Sequence, residues 1–592
     1  MAMKKSPKRD DVKAGVVGGI GLLGFGGLTQ LDLEKPGSIY LDYAEVAQNV
    51  FALGATASGV TLGAATGLYF WHGSRTFERR TTFHADGWAN MHDYRDYLSA
   101  SVISSNRNRN GNLGMGLIVR PSLAERSDRN GYKPRPTDYG VRLGTIQTGE
   151  NRRIRRRIAY NGFERACLAI GPPGAGKTAL LGHWVIDAPG AVLTATTKTD
   201  VYNKTSEIRA KRGPVLLFNP QGLGDLASTF AWDPVVGCEH YKVATMRARA
   251  LVHGTKAITA MQEASWGEKC VEILSKYLMA ARLAGGDLST VAYWLADANN
   301  EEPLTVLRDE RWSQYVPPGW ANSLQAEMRS SADRMKGSIW SLAQSSVAFM
   351  SDPAVARACA KSSGSNFDVR EFIHARGTLY LIGSDKDDMI APLLSALTNY
   401  IYDTATEMAA EAPHQRLDPT FSLVLDEAAK ITPVDLPGWG ATARSAGIWL
   451  CAAVQTFDQL RERWGDRGAG TIETVFGTLL VLAGIKHDGD LTKISNLVGY
   501  RTEYEPPPNP KLSPTSREVR IMPQAQIRML PQQMALVITG GSRAFVVKYE
   551  RAQTRADRMI ARIKRGKEPE RGYCDSNRLF GASMDEEQEL VA

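Results

Sequence analysis

Gly171-Pro172-Pro173-Gly174-Ala175-Gly176-Lys177-Thr178 is the stretch of this 592-residue sequence whose residue types and spacing point most directly to chemistry. The apolar run Leu168-Ala169-Ile170 leads into it and Ala179-Leu180-Leu181 leads out. Its glycines let the backbone wrap a polyphosphate, with amide N–H groups turned inward at the anion. In such a loop the lysine, Lys177, reaches the β- and γ-phosphates, and Thr178 offers its hydroxyl to Mg2+. The spacing predicts that Gly171 to Thr178, including Pro172, Pro173 and Ala175, bind ATP or GTP.

A phosphate loop of this kind needs a carboxylate partner. Phe421-Ser422-Leu423-Val424-Leu425-Asp426-Glu427 provides one, an apolar strand that ends in two acids. Asp426 is expected to hold Mg2+, mostly through its water shell, and Glu427 to orient and polarise the attacking water. Hydrolysis of a phosphoanhydride needs charge neutralisation and an aligned water more than covalent help. A further apolar run, Ile448–Val454, ends on Gln455, which would point at the γ-phosphate as a sensor. Arg444 falls at the opposite end of that run. It is out of reach of its own nucleotide but could reach a neighbour's in a ring, as an arginine finger. The residues alone equally allow Arg444 to be a surface helix cap.

The elements that must position these groups follow an α/β pattern from residue 164 onward. Short apolar runs stand at Ala166–Ile170, Val192–Ala195, Val215–Phe218, Thr378–Ile382, Ser422–Leu425, Ile448–Val454, Thr478–Leu482 and Ala535–Thr539. They read as buried parallel strands of a doubly wound sheet. Between about residues 240 and 365 the strand signal disappears, and Met246–Ala260, Glu268–Leu283 and Ser323–Phe349 read as helices. Arg152, Arg153, Arg155, Arg156 and Arg157 read as a solvated edge strand rather than a DNA or lipid contact. Arg209, Lys211 and Arg212 could line a channel or be solvated. From Gln553 the chain turns charged, a helix followed by an acidic tail.

The totals agree. A chain of 592 residues is too long for one core. Hydrophobic residues at 43% and charged residues at 23% are ordinary for a folded protein. A net charge of +8 permits a nucleic-acid or anionic-lipid partner without requiring one. The six cysteines, Cys167, Cys238, Cys270, Cys359, Cys451 and Cys574, are scattered, which argues against zinc and against a disulfide framework. Near the amino terminus, Ala14–Leu31 and Val46–Trp71 carry no charge, and the second is long enough to cross about 30 Å of hydrocarbon as a helix. Basic residues lie outside this pair and acidic ones between its members, the pattern of a two-helix membrane hairpin with both ends in the cytoplasm.

Several motifs stand in order around the candidate site: Asp426-Glu427-Ala428-Ala429, Leu436-Pro437-Gly438-Trp439, Ala443-Arg444-Ser445-Ala446-Gly447-Ile448, Gln455-Thr456-Phe457-Asp458-Gln459-Leu460, Arg463-Trp464-Gly465 and Leu491 to Gly499. With Asn219-Pro220, Trp232-Asp233-Pro234 and Trp266, they resemble the coupling proteins of type IV secretion, the TraG/TraD class of conjugation ATPases, and most of all its actinobacterial members. The resemblance covers roughly residues 160–550 and the two-helix start. It implies an α/β fold, a RecA-like P-loop ATPase domain with an all-helical insertion and an amino-terminal two-helix membrane hairpin. The implied division is a membrane anchor (1–75), a cytoplasmic connecting segment (76–160), a first nucleotide-binding part (161–240), an all-α insertion (241–365), a second nucleotide-binding part (366–555) and a charged tail (556–592).

The resemblance further implies ATP and Mg2+ as cofactors, a homo-hexamer in the bacterial inner membrane, and contact with membrane lipid. The implied partners are single-stranded DNA, a relaxase or protein effector, and the secretion channel with its ATPases and inner-membrane components. The residue matching Arg444 acts in trans in that family, and the one matching Gln455 contacts the nucleotide region. Pro172-Pro173 and Lys430-Ile431-Thr432 depart from the family's usual wording without removing a catalytic group. Two other functions fit the same residues: an FtsK-like pump of double-stranded DNA, and a nucleotide-switched receptor for secreted protein.

Overall fold

Residues buried on both sides of a sheet need apolar side chains at every position, and the four-residue run Cys167–Ile170 is buried throughout. It is one of thirteen strands among the described residues. The computed structural model describes residues 87–592 apart from 106–113, 124–133, 150–152, 257–263, 331–332, 361–366, 385, 387, 506–514, 571–572 and 574–592. The expected membrane hairpin, Arg152, Cys574 and the acidic tail lie outside the described residues. Among those described, no helix is long and apolar enough to cross a membrane.

The strands are β1 (Gly140–Ile146), β2 (Ile158–Gly162), β3 (Cys167–Ile170), β4 (Val192–Thr196), β5 (Val215–Phe218), β6 (Thr378–Ile382), β7 (Phe421–Leu425), β8 (Ile448–Val454), β9 (Thr478–Leu482), β10 (Tyr500–Glu505), β11 (Thr515–Arg520), β12 (Met534–Thr539) and β13 (Phe545–Lys548). Eleven form one sheet in the order β2-β1-β13-β12-β9-β3-β8-β7-β4-β6-β5, and β10 with β11 makes a separate ribbon. The seven strands from β9 to β5 are mutually parallel, with β3 seated between β8 and β9. One face packs on helix α1 (Lys177–Asp187): Leu180, Leu181 and Trp184 join Cys167, Ala169, Val424, Trp449 and Cys451 in one core. Trp184 and Trp449 meet edge to face at 5.5 Å between ring centroids.

The remaining four strands change the expected picture. β12 was expected among the parallel strands but runs antiparallel to β9, and β13, β1 and β2 extend the antiparallel block. An apolar strand buried on both faces reads the same in either direction, so the run Ala535–Thr539 carried no sign of its orientation. Residues 140–160, expected in a connecting segment, build β1 and most of β2. The expected arginine edge strand is instead the β1–β2 turn: Arg153 to Arg156 are not extended, and Arg156 has a left-handed φ of 71°.

No strand is described between β5 and β6; helices fill the interval. The helix expected from Met246 begins earlier and ends earlier, as α2 (Tyr241–Gly254). Its inward face is made by small Ala244 and Ala248 and by Arg247, which stacks over Trp232 and Tyr400, so large apolar residues did not mark its start. The single helix expected over Ser323–Phe349 is two, Trp320–Met328 and Asp333–Val347; Lys336 Nζ caps the first by donating to Met328 O at 2.5 Å. At the other end of the chain, α3 (Ala552–Ile563) is no free tail. Ala556 and Met559 pack with Ile186, Ile208 and Tyr573. Arg209 and Arg212, read as channel-lining or solvated, are buried: Arg209 donates to Ala188 O, Gly190 O and Thr378 Oγ1, and Arg212 lies 4.2 Å over the Tyr573 ring.

Candidate active site

The carboxyl ends of β3, β8 and β7 lie side by side, and open parallel sheets offer their binding crevice at that edge. From β3 the chain enters residues 171–176 and then α1, so the first-turn amides of α1 point into the loop. Two glycines are required there. A side chain at Gly171 would bring its Cβ to 2.8 Å from Leu482 Cβ. Gly176 has a φ of 95°, and a Cβ on it would lie 2.9 Å from the Tyr549 hydroxyl.

Five predicted side chains converge on this loop. Thr178 Oγ1 donates to Asp426 Oδ2 at 2.7 Å, across 248 positions of sequence. Lys177, buried, donates from Nζ to Gly171 O at 2.7 Å and pairs with Glu427 Oε1 at 3.2 Å. Gln455, at the tip of the intervening strand β8, donates from Nε2 to both Glu427 oxygens at 3.1 and 3.2 Å. Its own amide donates to Gln459 Oε1 at 2.8 Å, and Gln459 N is capped by Thr456 Oγ1. Gln455 is therefore held from behind while it holds Glu427 in front.

The two acids differ in surroundings. Burial pushes the Asp426 carboxyl above its ordinary range, with Glu427 adding to the effect and the Thr178 hydrogen bond opposing it. Asp426 Oδ1 is buried and has no hydrogen-bond partner among the described residues. A carboxylate oxygen left bare beside a threonine hydroxyl fits a hard divalent cation that keeps most of its water. The site residues thus fit Mg2+. Glu427 sits in the left-handed region at φ 53°, ψ 43°, unusual for a residue other than glycine and of the kind found at sites of chemistry.

Arg444 is elsewhere. β8 separates it from Gln455, and this seven-residue strand spans about 20 Å. There Arg444 pairs with Glu164, its side chain 65% exposed. Two contributors were not read from the sequence. Tyr549, just after β13, roofs the loop, its hydroxyl donating to Ala175 O at 3.4 Å. Glu164, in the turn before β3, holds Arg444. Only long-range pairing places them, and no local pattern announces it.

Residues 420–532 match the family model described as the TraM recognition site of TraD and TraG, and over that span the chain is TraG/TraD-like. The span holds Asp426, Glu427, Arg444 and Gln455 and leaves out the phosphate loop. No curated protein sequence matches the chain. Among solved structures, it is similar to the bacterial conjugative coupling protein TrwBdeltaN70 in an unbound form, at 18% identity and a TM-score of 0.49 over 65% of this chain and 85% of that one. It is also similar to the plasmid coupling protein TrwB in complex with ADP and Mg2+, at 18% identity and 0.48, over 66% and 85%. VirB4 of Thermoanaerobacter pseudethanolicus follows at 12% and 0.40, over 70% and 96%.

Proposed function

We propose that this chain is an ATPase that couples ATP hydrolysis to transfer of single-stranded DNA, or of a relaxase–DNA complex, into a type IV secretion channel. The observation that carries the hydrolytic part is the convergence of Lys177, Thr178, Asp426, Glu427 and Gln455 on one glycine-cradled loop. The amides of the loop and of the first turn of α1 bind the triphosphate, and Lys177 neutralises its charge. Thr178 and Asp426 hold hydrated Mg2+, which when bound offsets charge on the phosphate oxygens. Glu427 accepts a hydrogen bond from the attacking water and takes its proton. Gln455 keeps Glu427 aimed by its paired donation. Arg444 from a neighbouring copy would add positive charge in the transition state, a role worth several kcal/mol elsewhere, roughly 10³-fold or more in rate.

The transfer part rests on the TraG/TraD-like span and the ordered motifs around it. In this reading the protein is a hexameric ring anchored in the inner membrane by its amino-terminal hairpin, with the ATPase domain in the cytoplasm. The test is Lys177→Ala in the full chain, with phosphate release and conjugative transfer measured together. Both should be lost while the melting temperature stays put. Transfer that persists without hydrolysis sinks the motor reading. Stimulation by duplex DNA alone would favour a double-strand pump, and tight ATP binding with near-zero turnover would favour a switched receptor.

A further inference from the structure

Glu164 lies in the turn between β2 and β3, at the end of the sheet away from the phosphate loop, and its side chain is 3% exposed. Two arginines hold it. Arg416, itself 10% exposed, donates from Nη2 to Oε1 at 3.1 Å. Arg444 donates from Nε to Oε2. The loops that carry these arginines are tied together, Leu417 N donating to Ala446 O at 2.9 Å. The buried carboxylate is thus fixed by a mostly covered cation and an anchored backbone before it meets Arg444.

The atom that Arg444 uses is the informative detail. Its bond to Glu164 runs through Nε, and among the described residues Nη1 and Nη2 make no hydrogen bond. A guanidinium presents a planar fork of donors, and the Nη1–Nη2 edge is one of those that pair with phosphoryl oxygens. Glu164 grips the side chain by its Nε and leaves that fork open to solvent. Holding an otherwise mobile arginine in this way spares the rotamer entropy that would be lost each time it engaged an anion.

We propose that Glu164 is a positioning residue, which fixes the Arg444 guanidinium by its Nε so that the Nη edge is presented to the γ-phosphate bound by a neighbouring copy. This rests on the reading of Arg444 as a finger acting in trans, and the experiment separates the two. Full-length protein carrying Glu164→Gln, Arg444→Ala or both is assayed for kcat and KM for ATP, with nucleotide affinity and melting temperature measured alongside. Glu164→Gln should lower kcat by roughly 100-fold, the cost of a misplaced group. KM should stay within about twofold, because the loss falls on the transition state alone. Added to Arg444→Ala, the same change should cost nothing further, and Glu164→Asp, which keeps the charge, should recover part of the rate.

An equal loss of kcat from Glu164→Gln in both backgrounds overturns the proposal, since Glu164 would then act through the fold. A rise in kcat overturns it too, because Glu164 would be masking Arg444. A slow Arg444→Ala beside an unimpaired Glu164→Gln removes Glu164 and leaves the finger standing. A wild-type rate in Arg444→Ala removes the finger itself. Should Glu164→Gln melt early, Glu164→Asp in the two Arg444 backgrounds carries the same comparison.

Discussion

Replacing Asp426 by Asn keeps the shape of the side chain and an acceptor for Thr178 Oγ1 while deleting the charge. Burial holds the carboxyl above its ordinary value in the folded protein. A raised folded-state pKa means that the native state binds the proton more tightly than the unfolded chain. Stability then falls as pH rises from the unfolded value through the folded one, and above that interval the penalty stands in full. Asparagine carries none of it. Desolvating a polar group without a partner costs about 1–3 kcal/mol, and Asp426 Oδ1 is such an atom. An amide placed there still lacks one partner, so the gain from losing the charge is on the order of 1 kcal/mol.

The nucleotide reverses the ranking. A ligand held at 100 times its Kd adds about 2.7 kcal/mol to the native state. Thr178 and Asp426 are the groups through which Mg2+ would contribute to that gain. The assay is thermal or urea unfolding near neutral pH, with a non-hydrolysable ATP analogue, with and without Mg2+. The ligand-free Asp426→Asn protein should be the more stable of the two, and Mg2+ should no longer increase its stabilisation by nucleotide. Lower ligand-free stability would refute the account of burial, and an undiminished Mg2+ increment would refute the assigned cation site.

Asp187 supplies a pH test of the packing around α3. Burial alone would raise its pKa, but the Arg555 charge and paired hydrogen bonds, at 2.7 and 2.8 Å, outweigh it and hold the carboxyl at about 2. Its contribution is present above the unfolded value near 4 and lost as pH falls towards 2; Asp187→Asn should cost about 2 kcal/mol at pH 6 and much less at pH 2.5, measured by urea unfolding. A cost that does not change with pH would show that the ion pair is not its source. Gly176→Ala should abolish binding of a fluorescent ATP analogue, and Gly176→Ala/Tyr549→Phe should not restore it, because removing the hydroxyl leaves the φ of 95° in place. Full restoration would mean that the clash with Tyr549 alone mattered.

What the sequence made legible was whatever is local. Cys167–Ile170, Phe421–Leu425 and Ile448–Val454 could be read as strands because burial on both faces demands unbroken apolar runs. The loop and the acidic pair could be read because the chemistry dictates their residue types. Strand direction had no such signature, so β12 was expected to be parallel. β1 was missed because Arg142 sits exposed among its apolar residues and Gly144 interrupts them, in a strand that shifts register at that point. Arg209 looked like a surface cation because burying a guanidinium requires three acceptors from distant residues, and no neighbouring residue foretells them. Glu164 and Arg444 are separated by 280 positions, and a glutamate in a turn is ordinary until the fold brings the arginine to it.

The acidic pair shows how little separates an ordinary strand end from this site. In a regular strand consecutive side chains point to opposite faces, so Asp426 and Glu427 could not both serve one loop. The backbone breaks the alternation at Glu427, where the left-handed turn costs on the order of 1 kcal/mol or more. The turn sends Asp426 to Thr178 and Glu427 to Lys177 and Gln455. The strand order completes the arrangement. With β8 between β3 and β7, Gln455 stands beside Glu427 and reaches it directly. The same strand places Arg444 at the far edge of the sheet, where it cannot serve its own site. One buried strand thus fixes a residue for the site at one end and leaves an arginine fork open at the other, the arrangement on which the proposed role of Arg444 in a neighbouring site depends.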